Sequence, residues 1–301
     1  MPKICYTPRN FSASSQKLID TANSIIAEYT AQGYELTLRQ LYYQMVARDI
    51  IQNKQTEYKR LGSIINDARL AGLIDWNRIQ DLTREMRKVS HWTSPADIVE
   101  ACAASYRIDK WATQRYRPEV WIEKDALRNV VERVCTEEDV PYFSCRGYTS
   151  QSEMWVAAQR LLGWRKQGQI PVIIHLGDHD PSGVDMTRDI RDRMAVFGLS
   201  LDVRRVALNM DQILQHDPPP NPAKTTDSRF EGYITLFGEE SWELDALDPT
   251  TLADIIRGTI EGLRDNVAYK EQEDAEEASR SVLQKASDYW DDVETHLNDN
   301  Y

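Results

Sequence analysis

From residue 118 onward the chain alternates short, nearly all-apolar runs with longer amphipathic ones, and this limits the architecture more than any other feature. "EVWIE" (119–123), "YFSCRGY" (142–148), "IPVIIHL" (170–176) and "LSLDVRRVAL" read as strands. "DALRNVVERVCTEEDV", "SQSEMWVAAQRLLGWRKQG" and "SGVDMTRDIRDRMAVFG" read as the helices between them. A strand apolar on both faces must be covered on both faces, so the pattern predicts a parallel sheet with helices on either side. The final stretch, "EQEDAEEASRSVLQKASDYWDDVETHLNDNY", reads as an acidic, solvated helical extension.

The first 117 residues follow a different grammar. "SASSQKLIDTANSIIAEYTAQGY" carries Leu18, Ala22, Ile25, Ile26 and Tyr29 on one helical stripe, stopped by Gly33. Thr37 and Gln40 form a capping box, so a helix starts at Leu38 and ends near Arg48. "TEYKRLGSIINDARLAG" gives another helix, stopped at Gly72, and "SPADIVEACAASYRIDKWATQRY" (94–116) one more. Short helices in this number fit an all-α, winged-helix-like module spanning 1–117, ahead of an α/β domain spanning 118–301.

Charge divides along the same line. Residues 1–117 hold 17 Lys/Arg against 12 Asp/Glu, whereas 118–301 hold 19 against 36. A mildly basic front suits a phosphate backbone, and an acidic rear suits cations. The four cysteines form no CxxC pair, as expected of free thiols in the cytoplasm. No apolar window is long enough to span a bilayer, and the N-terminus lacks the apolar core of a signal peptide.

Ligands of parallel sheets bind beyond the carboxyl ends of the strands. Asp178 and Asp180 follow the apolar run 170–176, and Glu123 ends the run 119–123. If the two strands are neighbours, three carboxylates converge, and their repulsion calls for a cation. Hard oxygen ligands favour Mg²⁺, bound at about 2.1 Å, over Zn²⁺. A helix cap accounts for Asp180 alone, and His175 with His179 offers a weaker zinc alternative.

"WIEKDA" followed by "LGDHDPSG" resembles the Toprim signature of a strand-end Glu and a later Asp-x-Asp. The pattern is most similar to the topoisomerase VI A subunit and meiotic double-strand-break transesterase family, particularly its compact Mini-A group. "CRGYTSQSEMW" resembles that family's Gly-Tyr-Pro-Ser loop, with Thr149 in place of the proline, and "SWELDAL" resembles its Glu-x-x-Ala-Leu segment. The likeness spans roughly 37–247. It implies Glu243 as a fourth metal ligand, with Asp245 a weaker one, and Mg²⁺ (or Mn²⁺ in its place) as cofactor. "LRQLYYQ" resembles the family's Arg-x-x-Tyr-Tyr motif.

Periodicity separates the two tyrosines of that motif. Leu38, Leu41, Tyr42 and Met45 form the core stripe, and Tyr43 lies about 100° further round, one turn from Arg39. A guanidinium there would favour phenolate. The resemblance implies Tyr43 as the nucleophile of Mg²⁺-dependent DNA cleavage, giving a 5′-phosphotyrosyl link, with Glu123 at the reacting centre. It further implies a homodimer on double-stranded DNA, cutting both strands. Lys59, Arg60, Arg69 and Lys124 are candidate DNA contacts. The chain has no "GxxxxGK[ST]" loop, so an ATPase for strand passage would be a separate subunit. Two alternatives stand beside this reading: a Toprim nuclease using metal-activated water, and a non-catalytic DNA-binding protein.

Overall fold

A computed structural model describes residues 3–80 and 89–300. The first part is a helical cluster of α1 (Ala13–Ala31), α2 (Leu38–Ala47) and α3 (Gln55–Leu70), with short strands β1 (Leu36–Thr37) and β2 (Ile79–Gln80) paired in parallel. The predicted capping box is present: Gln40 N–H donates to Thr37 Oγ1 at 3.2 Å, and Thr37 N–H donates to Gln40 Oε1 at 2.8 Å. Beyond α3, Gly72 adopts φ +72°, and a Cβ there would crowd the Cys5 backbone. Leu18, Ile25, Leu41, Met45 and Leu61 close the core between these helices.

Helix α4 (Pro95–Ser105) is shorter than the 94–116 expected and leads to β3 (Tyr116–Ile122). Then follow α5 (Arg128–Glu137), β4 (Tyr142–Ser144), α6 (Gln151–Lys166), β5 (Ile170–Leu176), α7 (Pro181–Val196) and β6 (Asp202–Ala207). Strands β3–β6 form one parallel sheet in the order β4-β3-β5-β6. Strand register explains their double-sided apolar character. Val120, Ile122, Val172 and Ile174 face α5 and α10 (Pro249–Glu261), whereas Trp121, Ile173 and Val203 face α6 and α7. Between β6 and α10 lie α8 (Met210–His216), β7 (Asn221–Pro222), α9 (Phe230–Phe237) and β8 (Glu240–Ser241), followed by a 3₁₀ turn, Leu244–Ala246.

The C-terminal extension is two helices, α11 (Asn266–Asp288) and α12 (Trp290–Asn300). It is not wholly solvated, because α11 packs along α4. Glu276, 5% exposed, accepts a hydrogen bond from the Ile108 N–H at 2.9 Å, with Arg280 at 3.3 Å and Lys110 at 3.7 Å. A buried carboxylate so placed strands its partners when removed. Glu276→Ala should therefore cost about 3 kcal/mol in urea unfolding, whereas the neighbouring exposed Glu277→Ala should shift stability by less than about 0.5 kcal/mol.

Candidate functional site

Because β3 and β5 are neighbours in register, Ile122 lies opposite Leu176, and both chains leave the sheet at the same edge. Glu123 follows β3 directly, its N–H donating to the Leu176 carbonyl at 2.9 Å. Its Oε2 in turn accepts the Asp178 N–H at 3.0 Å. Asp180 caps α7, Oδ1 taking the Gly183 N–H at 2.7 Å and the Ser182 hydroxyl at 2.9 Å, while Oδ2 faces Lys224 at 3.5 Å. Glu123, Asp178 and Asp180 thus lie at one strand edge, with the Asp178 carboxylate itself taking the Leu244 N–H at 2.8 Å. Asp180 combines helix capping with a place in the cluster.

Burial, with the neighbouring carboxylates, sets the protonation of this group. Desolvation raises the Glu123 pKa, and Asp180 adds to the rise. Asp178 is pushed up to about 7 by burial, with Lys124 opposing and Glu123 and Asp245 reinforcing the shift. Both shifts arise first from burial, against the opposing pull of Lys124.

Arg205, on β6, fixes the loop that presents these acids. Its guanidinium donates to the carbonyls of Gly177 (3.0 Å), Asp178 (2.7 Å), Gly183 (2.8 Å) and Leu208 (3.1 Å). A Cβ on Gly183 would collide with the Asp178 carbonyl, so only glycine permits this approach. Arg205 was not singled out from the sequence. Its signal was an arginine two residues after Val203, on the strand face that packs towards α6 and α7.

A second charged cluster joins the sheet edge to α2. The Lys124 ammonium lies 3.1 Å from Asp178 Oδ2, 2.6 Å from Glu243 Oε2 and 2.9 Å from Asp245 Oδ1. Arg39 pairs with Asp245 at 2.6 Å and also with Glu243. Lys124 therefore occupies an internal ion-pair position, not the exposed one expected of a DNA contact. Glu243 faces Lys124 and Arg39, and shares the Lys124 ammonium with Asp178. Burial works against its charge, but the two cations prevail and hold its pKa at about 2. Asp245, the weaker candidate, is the fully buried bridge between Arg39 and Lys124.

Tyr43 departs furthest from expectation. Instead of facing away from the core it is 4% exposed, as is Tyr42. The reason is that α2 is covered twice: α1 and α3 take one side and the 3₁₀ turn Leu244–Ala246 the other. Arg39 does lie beside the Tyr43 ring, 5.6 Å from its centroid. Even so the phenol pKa is raised, by burial first and then by Asp245 and Glu243, which outweigh Arg39. Tyr42 packs as expected, its hydroxyl donating to Asn53 Oδ1 at 3.0 Å.

The remaining candidates separate. Lys59 is exposed on α3, and Arg60, also exposed, pairs with Glu57 at 2.8 Å. Arg69 turns inward, donating to the carbonyls of Trp76 (3.2 Å) and Ile79, so it ties α3 to β2 and does not present a free cation. His175 bonds Thr187 at 2.8 Å and His179 bonds Tyr233 at 2.8 Å, so the two do not converge. Burial lowers both, to about 3 and about 4.

Family models, curated proteins and solved structures give no match to this chain. Among the described residues, no group of three or more His, Cys, Asp or Glu side chains already surrounds a common ion position. No helix there is long and apolar enough to cross a membrane.

The Glu243 pairing has a pH signature. Its pKa is depressed on folding, so its stabilisation is complete above the unfolded value of about 4.3 and is lost as pH falls towards about 2. A shift of this size corresponds to about 3 kcal/mol. Glu243→Gln should flatten the acid limb of a stability–pH curve between those values. An unchanged acid limb would show that the pairing does not stabilise the fold.

Proposed function

We propose that this chain cleaves DNA by Mg²⁺-dependent transesterification with Tyr43 as nucleophile. The observation that carries the reading is the convergence of Glu123, Asp178 and Asp180 at the carboxyl edge of a parallel sheet. The donor set suits a hard divalent cation, because the group is all carboxylate and its members are close enough to raise one another's pKa. Glu123, Asp178 and Asp180 would hold the ion. Once bound, it supplies charge stabilisation at the phosphate oxygens.

The chain's own residues do the rest. The Tyr43 oxygen forms the new bond to phosphorus, the bond to the strand's 3′ oxygen breaks, and the phenolic proton passes by way of a carboxylate to that leaving oxygen. Glu123, whose pKa burial raises, is the carboxylate assigned that relay. Arg39 can hold the phosphate only after exchanging Glu243 and Asp245 for it. Tyr43 needs the same opening, since it lies beneath that cluster. On this reading the helical N-terminal part is a winged-helix DNA-binding module with Lys59 and Arg60 on the backbone. The active form is a homodimer on double-stranded DNA, with any ATPase a separate subunit.

The burial of Tyr43 favours a second reading, hydrolysis by metal-activated water at the same three acids. Covalent adducts distinguish the two. Tyr43→Phe should abolish both cleavage and the denaturation-resistant protein–DNA adduct, by at least about a thousandfold, with Tyr42→Phe retaining both. Cleavage by Tyr43→Phe at the wild-type rate would transfer the chemistry to water. Asp178→Asn should stop cleavage under either reading.

Ion binding itself has a thermal readout. Millimolar Mg²⁺ should raise the Tm at pH 8, and raise it less at pH 6, where Asp178 is protonated and competes with the ion. Asp178→Asn should remove most of the gain. A Tm indifferent to Mg²⁺ at both pH values would count against the metal assignment.

A further inference from the structure

Each acid of the sheet edge has one oxygen fixed by the fold. The Asp178 N–H holds Glu123 Oε2 at 3.0 Å, the Leu244 N–H holds Asp178 Oδ1 at 2.8 Å, and the Gly183 N–H holds Asp180 Oδ1 at 2.7 Å. The remaining oxygen of each aspartate faces a lysine. Asp178 Oδ2 lies 3.1 Å from the Lys124 ammonium, and Asp180 Oδ2 lies 3.5 Å from that of Lys224. A cation seated on these carboxylates would use the same outward oxygens, so it would compete with both lysines.

The two lysines are held differently. Lys124 has a side chain only 19% exposed, and Glu243 and Asp245 remain its partners if Asp178 is withdrawn. The Lys224 side chain is 73% exposed, and Asp180 is the one ion-pair partner of its ammonium among the described residues. Asp227, three residues on, is taken by Arg229 at 3.0 Å. Arg205, also beside the acids, is committed to main-chain carbonyls. A cation arriving at Asp180 therefore leaves Lys124 in place and releases Lys224.

The main chain keeps the released ammonium close by. Lys224 follows β7, which pairs with β8 through Asn221 opposite Ser241 and Pro222 opposite Glu240. Buried Ala223 donates its N–H to the Glu239 carbonyl at 2.9 Å, and the Lys224 carbonyl accepts the Asp227 N–H at 3.1 Å. The backbone is thus anchored on both sides of a side chain that is free in solvent. A phosphate sharing a cation with Asp180 lies next to that carboxylate, within the sweep of a flexible four-carbon side chain rooted there. An ammonium in that place adds charge-assisted hydrogen bonds to phosphate oxygens as their charge grows.

We propose that Lys224 is a further catalytic residue of this site, which yields Asp180 to a divalent cation and, once displaced, contacts the DNA phosphate. The assignment rests on the DNA-cleaving reading and holds whether Tyr43 or water attacks.

The test compares the full chain with Lys224→Gln and Lys224→Arg in three measurements. The Mg²⁺ concentration giving half of the Tm gain at pH 8 should fall about threefold in Lys224→Gln, because a competing ammonium is gone. Calorimetric affinity for a thymidine dinucleotide at saturating Mg²⁺ should fall about tenfold in the same variant. Single-turnover cleavage of duplex DNA should fall about thirtyfold, with Lys224→Arg recovering most of it. An exposed ion pair adds little to folding, so the Tm without Mg²⁺ should stay within about 2 °C of wild type. Tighter Mg²⁺ binding combined with slower cleavage is a pairing that a merely structural role does not produce.

Unchanged or weaker Mg²⁺ binding by Lys224→Gln would overturn the displacement. Wild-type dinucleotide affinity or cleavage rate in that variant would overturn the phosphate contact, as would no binding of the dinucleotide to wild type. A lowered metal-free Tm with no recovery in Lys224→Arg would assign the lysine to folding and overturn the proposal. A wild type that takes up Mg²⁺ but cuts no DNA would remove the cleaving reading itself, and the first two measurements would still decide whether Lys224 yields to the ion and meets a phosphate.

Discussion

The arrangement depends on one ammonium group. Lys124 follows the strand-end glutamate and is ringed by Asp178, Glu243 and Asp245, while Arg39 reaches the last two from α2. Through it the acids of the sheet edge, the turn after β8 and the tyrosine-bearing helix form one charged assembly. Taking such charges out of water costs several kcal/mol per ion, so pairing of this kind returns little net stability. What it fixes is position. The helical cluster has one docking orientation that satisfies both cations, and that orientation brings α2 over the edge of the sheet.

The same assembly sets the chemical state of each member. Burial raises the Asp178 pKa to about 7 despite the neighbouring Lys124, with Glu123 and Asp245 adding to the rise. Glu243 has two cations and is held ionised far into acid. Tyr43 lies among carboxylates and is kept as a phenol. A shift of Lys124 towards an incoming anion would alter Asp178 and Glu243 together, and a shift of Arg39 would alter Glu243 and Tyr43, since Glu243 alone of the three faces both cations.

Local sequence rules recovered what local physics decides. The parallel sheet was legible because runs such as 170–176 are apolar on both faces, and the α2 boundary because Thr37 and Gln40 satisfy each other's amides. The meeting of Glu123, Asp178 and Asp180 followed from the strand-end rule once β3 and β5 proved adjacent. The failures share a cause. Tyr43 lies off the apolar stripe of its own helix, yet a turn two hundred residues later covers it. Lys124, Arg69 and Glu276 look like surface charges by residue type; Lys124 and Glu276 are internal because of partners more than a hundred residues away, and Arg69 because the chain after α3 folds back over it. Arg205 was overlooked because a strand arginine gives no sign of which carbonyls it will reach.

Arg205 also bears on which ion the strand edge would favour. Its guanidinium engages the main-chain carbonyls of Gly177, Asp178, Gly183 and Leu208, the neutral oxygens nearest the acid cluster. With those occupied, side-chain carboxylates and solvent are left as donors. Calcium prefers six to eight oxygens and commonly recruits backbone carbonyls, whereas magnesium keeps much of its water and needs few carboxylates. On the proposed metal-dependent reading, the arginine disfavours the larger cation without touching it, by engaging carbonyl oxygens that such a cation would otherwise recruit.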